Sequence, residues 1–321
     1  MLAVRGLSVR IGGVAQVDGI SFDVAAGEML GIVGESGSGK SLSLRAVLRL
    51  LPGRAVVGGS VVWQGQELLG LPEAAIRRVR GRGIGMVFQE PMTALDPVLT
   101  VGLQITESLG EHLGLRGAAA RVRAVELLDM VGIPDARRRL GSYPHEFSGG
   151  MRQRVMIAIA LAGEPNLLLA DEPTTALDVT IQDQILKLLL RLKDDLGMAV
   201  VLVTHDLGIV AGTCDRVAVL YAGRVMESGA VYDVFRAPAH AYTLGLMRSV
   251  PDQRHARQHL VSIPGQPPAP GQAPPGCRFA PRCGFADAAC GAPPPMLSAG
   301  DGHHTWCVRP NVIRDEKLRA A

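Results

Sequence analysis

The stretch Gly34-Glu35-Ser36-Gly37-Ser38-Gly39-Lys40-Ser41 reads G-x-x-x-x-G-K-S. It lies between an apolar run, Met29–Val33, and a helical pattern, Ser41–Leu51, stopped by Pro52-Gly53. The spacing serves one chemistry. Glycines let consecutive backbone N–H groups turn inward around phosphate oxygens, and the helix that follows presents its positive N-terminus to them. Lys40 can reach the β- and γ-phosphates, and the Ser41 hydroxyl can ligate Mg²⁺. A strand before and a helix after complete the context, so a nucleoside-triphosphate site is expected here.

Such a site needs a carboxylate at the end of a buried strand to hold the metal, and a base beside it for water. Leu167–Ala170 followed by Asp171-Glu172 supplies both. Asp171 is the expected metal carboxylate and Glu172 the expected base.

Working outward, Met29–Val33, Leu167–Ala170 and Ala199–Thr204 are short and apolar throughout, as strands covered on both faces are. Between them, Ile181–Leu196 carries an apolar stripe (Ile181, Ile185, Leu188, Leu189, Leu192, Leu196) and stops at Gly197. This order predicts a parallel α/β sheet. The first 25 residues alternate and suit an antiparallel portion, while Thr100–Gly163 is rich in helix formers. Residues 264–275 hold six prolines, a semi-rigid spacer.

The bulk balance is 47% apolar and 20% charged with net charge +3, which excludes a disordered chain and indicates no nucleic-acid tail. No signal peptide and no run long enough to span a bilayer is read, so a cytoplasmic chain reaching the membrane through partners is expected.

Phe147-Ser148-Gly149-Gly150-Met151, upstream of Asp171, decides among nucleotide machines. Ser148 and the amides of Gly149 and Gly150 at a helix start form a second anion site. With this element the chain resembles the nucleotide-binding subunits of ATP-binding cassette (ABC) transporters, whose signature is usually L-S-G-G-Q. The resemblance implies that Ser148–Gly150 cap ATP held by a second subunit. It implies that Gln89 is the loop glutamine sensing Mg²⁺, that Asp178 lies in the loop crossing the dimer interface, and that His205 is the switch histidine contacting the γ-phosphate. Ser41, Gln89 and Asp171 form the implied Mg²⁺ set, and Gly34 through Ser41 with Gln89 the nucleotide set. One departure is visible: the family usually places an adenine-stacking aromatic near Ile11, which is aliphatic here.

The implied architecture is an α/β P-loop NTPase with a RecA-like core sheet, an antiparallel β portion and a helical subdomain at about 90–163. The cassette would span 1–250, and 251–321 would form a Pro-rich linker and a small Cys-rich C-terminal extension. The stretches Glu90–Pro97, Tyr143–Met151, Tyr221–Arg224 and Pro238–Leu246 are similar to the D-type ATPase of oligopeptide and dipeptide permeases. That subfamily also serves nickel, glutathione and sugar importers. It implies two integral membrane permease subunits, a second ABC ATPase and an extracytoplasmic peptide-binding protein, with no nucleic acid. The chain would then work at the cytoplasmic face of the cell membrane.

Four of five cysteines, Cys277, Cys283, Cys290 and Cys307, crowd the C-terminus with spacing C-x5-C-x6-C-x16-C. This is not the paired C-x2-C of zinc fingers. Four thiolates from a loop-rich segment can hold a 4Fe–4S cluster; zinc, free thiols and a disulfide are the alternatives. His303 and His304 are expected to face solvent, and Cys214 to be a small buried residue.

Overall fold

The computed structural model describes residues 1–250 and 262–319. The start of the expected linker, residues 251–261, lies outside them. In chain order the elements begin with β1 (Leu2–Ile11), β2 (Val14–Val24), β3 (Met29–Val33), α1 (Lys40–Val47), β4 (Ala55–Trp63), β5 (Gln66–Glu67), α2 (Glu73–Val79) and β6 (Ile84–Val87). Then come α3 (Pro91–Ala94), α4 (Val101–Leu113), α5 (Gly117–Met130), α6 (Ala136–Arg139), α7 (Gly149–Leu161), β7 (Leu167–Asp171), α8 (Val179–Leu196) and β8 (Ala199–Thr204). Last are α9 (Leu207–Thr213), β9 (Arg216–Tyr221), β10 (Arg224–Ala230), α10 (Val231–Arg236), α11 (Ala241–Arg248), β11 (Leu297–Gly300), β12 (His303–Thr305) and α12 (Pro310–Arg319).

Two compact units divide the chain. One gathers Met1–Val24, Met29–Leu69 and Thr204–Ala321; the other holds Ala25–Glu28 and Gly70–Val203. In the first, alternation over the opening residues produces an antiparallel sheet of order β2-β1-β4-β5. Leu2 pairs with Val24 on one side and Trp63 on the other. The same unit carries strands in the order β11-β12-β10-β9-β3, with β3 parallel to β9 and the remaining pairs antiparallel. β3 is buried at every residue, as its unbroken apolar run requires.

The C-terminal segment packs in the core of this unit. Phe279 and Ile313 join Val219, Tyr221, Met226 and Tyr242 in one buried cluster. Burying a side chain of this size contributes about 1.5–3 kcal/mol. Phe279 stands edge-on to Tyr221 with ring centroids 5.3 Å apart. β12 also extends the sheet, pairing Thr305 and His304 with Glu227 and Ser228 of β10.

In the second unit β8, β7 and β6 run parallel, with Leu167 paired to Ala199 and to Ile84. Helices α4, α5, α6 and α7 fill Val101–Leu161. The α8 stripe buries Ile185, Leu188, Leu189 and Leu192, whereas Leu196 is 47% exposed because it lies in the last turn before the left-handed Gly197. The α1 prediction runs too long. The helix ends at Val47 because Leu50 N–H bonds back to the Arg45 carbonyl and Arg49 turns left-handed, ahead of Pro52.

Candidate functional site

The loop 34–41 joins β3 to α1. Lys40 is buried, and its Nζ donates to the carbonyls of Gly34 (2.8 Å) and Glu35 (3.1 Å). Gly34 has φ of 155°, and a Cβ there would lie 2.0 Å from the Leu220 carbonyl oxygen, so no other residue fits. Gly39 caps α1 in a left-handed conformation. The Ser38 hydroxyl is buried and makes no hydrogen bond among the described residues, while its carbonyl accepts from Gly223 N–H. A buried hydroxyl left over inside a closed loop suits a phosphate oxygen. His205, in the same unit, follows β8 and is exposed, and Asp206 caps α9 by accepting from Gly208 and Ile209.

The second unit assembles the other predicted residues. Asp171 ends β7 fully buried. Glu172 follows at φ 45°, a left-handed conformation that costs a non-glycine residue about 1–2 kcal/mol and is typical of functional turns. Its Oε2 accepts from Thr175 Oγ1 (2.9 Å) and Gln89 Nε2 (3.2 Å), and its N–H donates to the Val203 carbonyl. Gln89 thus touches Glu172 directly.

Ser148 caps α7 by accepting from Met151 N–H, and Ser148 and Gly149 are exposed. Asp178 caps α8 through Ile181 N–H (2.9 Å) after Ala176 turns left-handed. These two helix starts touch: a Cβ on Gly150 would come 2.5 Å from Ile181 Cγ2. Arg152 fixes the approach to the signature turn, donating to the carbonyls of Pro144 (2.7 Å) and His145 (3.4 Å). Ile11, at the end of β1, is partly buried and pairs with Val14 and Ala55.

The four C-terminal cysteines converge. Cys277, Cys283, Cys290 and Cys307 line one cavity of about 20 Å³ with His240, Phe279 and Ile313. That volume holds one water. Burial raises the Cys277 and Cys283 thiols and pushes Cys307 up to about 11, the neighbouring sulfurs adding to it. His240 is buried and held neutral, its pKa brought down to about 3 by desolvation. Its Nδ1 accepts from Tyr242 N–H, which leaves Nε2 as the donor, 3.9 Å from Cys277 Sγ. No group of three His, Cys, Asp or Glu side chains stands in metal-ligating position among the described residues. The 4Fe–4S expectation on these cysteines is therefore not met by the packing seen here: a cluster requires the walls of this small cavity to part.

The expectation that His303 faces solvent is overturned. It is 2% exposed and its Nε2 donates to the fully buried Glu227 at 2.7 Å. The same carboxylate accepts from the N–H groups of Ala239 (2.6 Å) and His240 (3.0 Å). His304 is half-buried. Burial raises the Cys214 thiol to about 12, in keeping with a structural residue. Sequence reasoning missed the role of Arg152, and it missed Glu227 and Arg282, whose partners His303 and Glu35 lie 76 and 247 residues away. For Arg282 the available signal was the motif Cys277-Arg278-x-x-x-Arg282-Cys283.

The glycine loop, the acidic strand end and the serine-capped signature helix define an ATP-binding cassette. The chain matches the ABC transporter family over residues 17–175 and the oligopeptide/dipeptide transporter C-terminal region over residues 226–290. It is 52% identical to the Probable peptide ABC transporter ATP-binding protein y4tR of Sinorhizobium fredii, over 98% of this chain and 96% of that one. It is 49% identical to the oligopeptide transport ATP-binding protein OppD of Salmonella typhimurium, over 97% and 94%. The dimeric post-hydrolysis structure of the ATP-binding cassette MJ0796, bound to ADP and Pi, superposes with a TM-score of 0.64 at 30% identity, covering 72% of this chain and 99% of that one. The chain belongs to the ABC transporter ATPases, and within them it carries the C-terminal region of the oligopeptide/dipeptide transporters. Among the described residues no helix is long and apolar enough to cross a membrane.

Proposed function

We propose that this chain powers the import of di- and oligopeptides by hydrolysing ATP on the cytoplasmic face of the cell membrane. The observation that carries the reading is the 49% identity to OppD over nearly the full length of both chains, through the cassette and the C-terminal region alike. In this reading Gly34–Ser41 hold the phosphates, and Ser41, Gln89 and Asp171 hold Mg²⁺. Glu172 orients the attacking water and His205 contacts the γ-phosphate. Ser148, Gly149 and Gly150 close over the nucleotide of a second ABC ATPase, with Asp178 in the loop between the two subunits. The exposure of Ser148 and Gly149 and the close approach of Gly150 to Ile181 of α8 support a shared docking face.

Closure of the ATPase pair acts on two integral membrane permease subunits, and an extracytoplasmic binding protein delivers the peptide. In this reading the cassette is 1–250 with a helical subdomain at about 90–163, and 251–321 holds the Pro-rich linker and the Cys-rich extension. In this reading Cys277, Cys283, Cys290 and Cys307 would hold a 4Fe–4S cluster only once the walls of their shared cavity part; their convergence on that cavity supports the ligand set. When bound, the cluster would supply a rigid cross-link to a segment with little core of its own.

Mass spectrometry of proteins co-purifying with the tagged chain from detergent-solubilised membranes tests the import reading. Two multi-span permeases, a second cassette ATPase and a peptide-binding protein are expected. Ribosomal or nucleic-acid proteins without a membrane partner would overturn it. Iron and acid-labile sulfide, assayed on anaerobically purified protein, test the cluster: about four of each per chain are expected, and none would remove it.

A further inference from the structure

The phosphate loop carries a carboxylate of its own. Glu35 is the second residue of an element whose task is to gather donors around a polyanion, and a like charge there opposes binding. The structure shows how that charge is handled. Arg282, from the C-terminal segment, grips both Glu35 oxygens: Nη1 to Oε2 at 2.6 Å and Nη2 to Oε1 at 3.0 Å. This is the two-pronged geometry in which a guanidinium pairs most strongly with a carboxylate.

Arg282 itself is built in. It is 8% exposed, its Nε donates to the Pro264 carbonyl (2.8 Å), and Nη1 also donates to Tyr221 Oη (3.2 Å). The guanidinium lies over the rings of Tyr221 and Phe279, at 5.7 and 5.9 Å. Burial works against its charge, but the Glu35 and Tyr221 hydrogen bonds outweigh it and hold the guanidinium protonated. The backbone of Glu35 is fixed from the same side, since its N–H donates to Tyr242 Oη at 2.8 Å. Four residues before Arg282, Arg278 bonds Asp18 and the carbonyl of Ala222, next to the Gly223 whose N–H holds the Ser38 carbonyl. The segment thus meets the loop region at two points.

We propose that Arg282 is a positioning residue for ATP: it neutralises Glu35 and holds its carboxylate against the C-terminal segment, so the loop amides and Lys40 meet the phosphates without a competing anion. Without Arg282, a cation available to Glu35 in its own loop is Lys40, whose Nζ already donates to the Glu35 carbonyl. The C-terminal region then helps to set nucleotide affinity. The proposal rests on the reading of Gly34–Ser41 as the ATP cradle, and the test separates the two.

The experiment measures Kd for a fluorescent methylanthraniloyl-ATP with Mg²⁺, using the full-length chain and five variants. Arg282→Gln is expected to weaken binding about tenfold at 50 mM salt and about threefold at 500 mM, because the repulsion it uncovers is screened. Glu35→Gln is the reference for the pair, and adding Arg282→Gln to it shifts Kd by no more than about twofold, since no charge is left to neutralise. Arg282→Lys, which keeps the charge, binds within about threefold. In steady-state hydrolysis the Arg282→Gln defect falls on KM and not on kcat. An Arg282→Gln change that weakens binding as much in Glu35→Gln as it does alone, or an Arg282→Lys as weak as Arg282→Gln, would show a structural role and overturn the proposal. Lys40→Ala is the control. If it binds like wild type, the loop is not the nucleotide site and the proposal falls with that reading. If it loses binding while Arg282→Gln does not, the proposal alone falls.

Discussion

Two short segments of the first unit make an instructive pair: the phosphate loop, Gly34–Ser41, and the stretch Cys277–Cys283. Each packs its chemistry into seven or eight residues, but they close in opposite ways. Lys40 bonds carbonyls only five and six residues back. Arg282 and Arg278 find their carboxylates 247 and 260 residues away. A locally closed contact such as that of Lys40 acts on whatever binds the loop, while Glu35 and Ser38 of the same loop are held from Arg282 and Gly223. A segment closed at long range acts on the protein itself, staking one part against another. Changes in the first kind of element should therefore be read in chemistry, and changes in the second in stability or in coupling to the nucleotide.

The sharpest test of that division is Glu172, whose Oε2 is held by Thr175 three residues on and by Gln89 83 residues back. Glu172→Gln keeps the size and the hydrogen-bonding reach of the side chain while removing the carboxylate proposed as the base. Hydrolysis should fall about 10²- to 10⁴-fold, with ATP still bound and the melting temperature close to wild type. Turnover near wild type would remove Glu172 from the reaction. A large drop in melting temperature would instead show that local closure does not insulate chemistry from stability.

His303 tests the other side. It donates to Glu227, a carboxylate with no exposure to water and two further backbone donors. Removing one partner of a buried charged acceptor costs about 1.5–3 kcal/mol. His303→Ala should lower the unfolding midpoint in urea accordingly, with kcat per folded molecule unchanged. An unshifted midpoint would mean that β12 is not a staple of this unit.

The smallest effect belongs to Asp178, which caps α8 through a single hydrogen bond. Asp178→Ala should cost about 1 kcal/mol, and Asp178→Ser, which can still cap, clearly less. Equal losses in the two variants would assign the residue's importance to its charge and not to the cap. Together the three substitutions span the range from pure chemistry to pure local stability.

How much of this was legible follows the same line. The strands Met29–Val33 and Ala199–Thr204 were read at their observed bounds because unbroken apolar runs between glycine and charge leave few alternatives. The loop was legible because its residues act on one another. The sequence pattern predicts a helix after it that is four residues too long, since a left-handed Arg49 carries no composition cue ahead of Pro52. The contact of Gln89 with Glu172 spans 83 positions and could only be anticipated through resemblance. Adjacent histidines beside glycine look exposed in the sequence, and only the pairing of β12 to β10 accounts for the burial of His303.

By itself, then, the sequence determined the cradle, the acidic strand end, the signature turn and the antiparallel start of the chain. Each depends on spacing within a few residues, and spacing is what a sequence records. Only the tertiary structure decided that four cysteines share one small cavity, that Glu227 is the buried acceptor for His303, and that Arg282 neutralises the carboxylate inside the phosphate loop. The physical reason is that burial and charge pairing are properties of neighbours in space. For the C-terminal segment those neighbours lie far back along the chain.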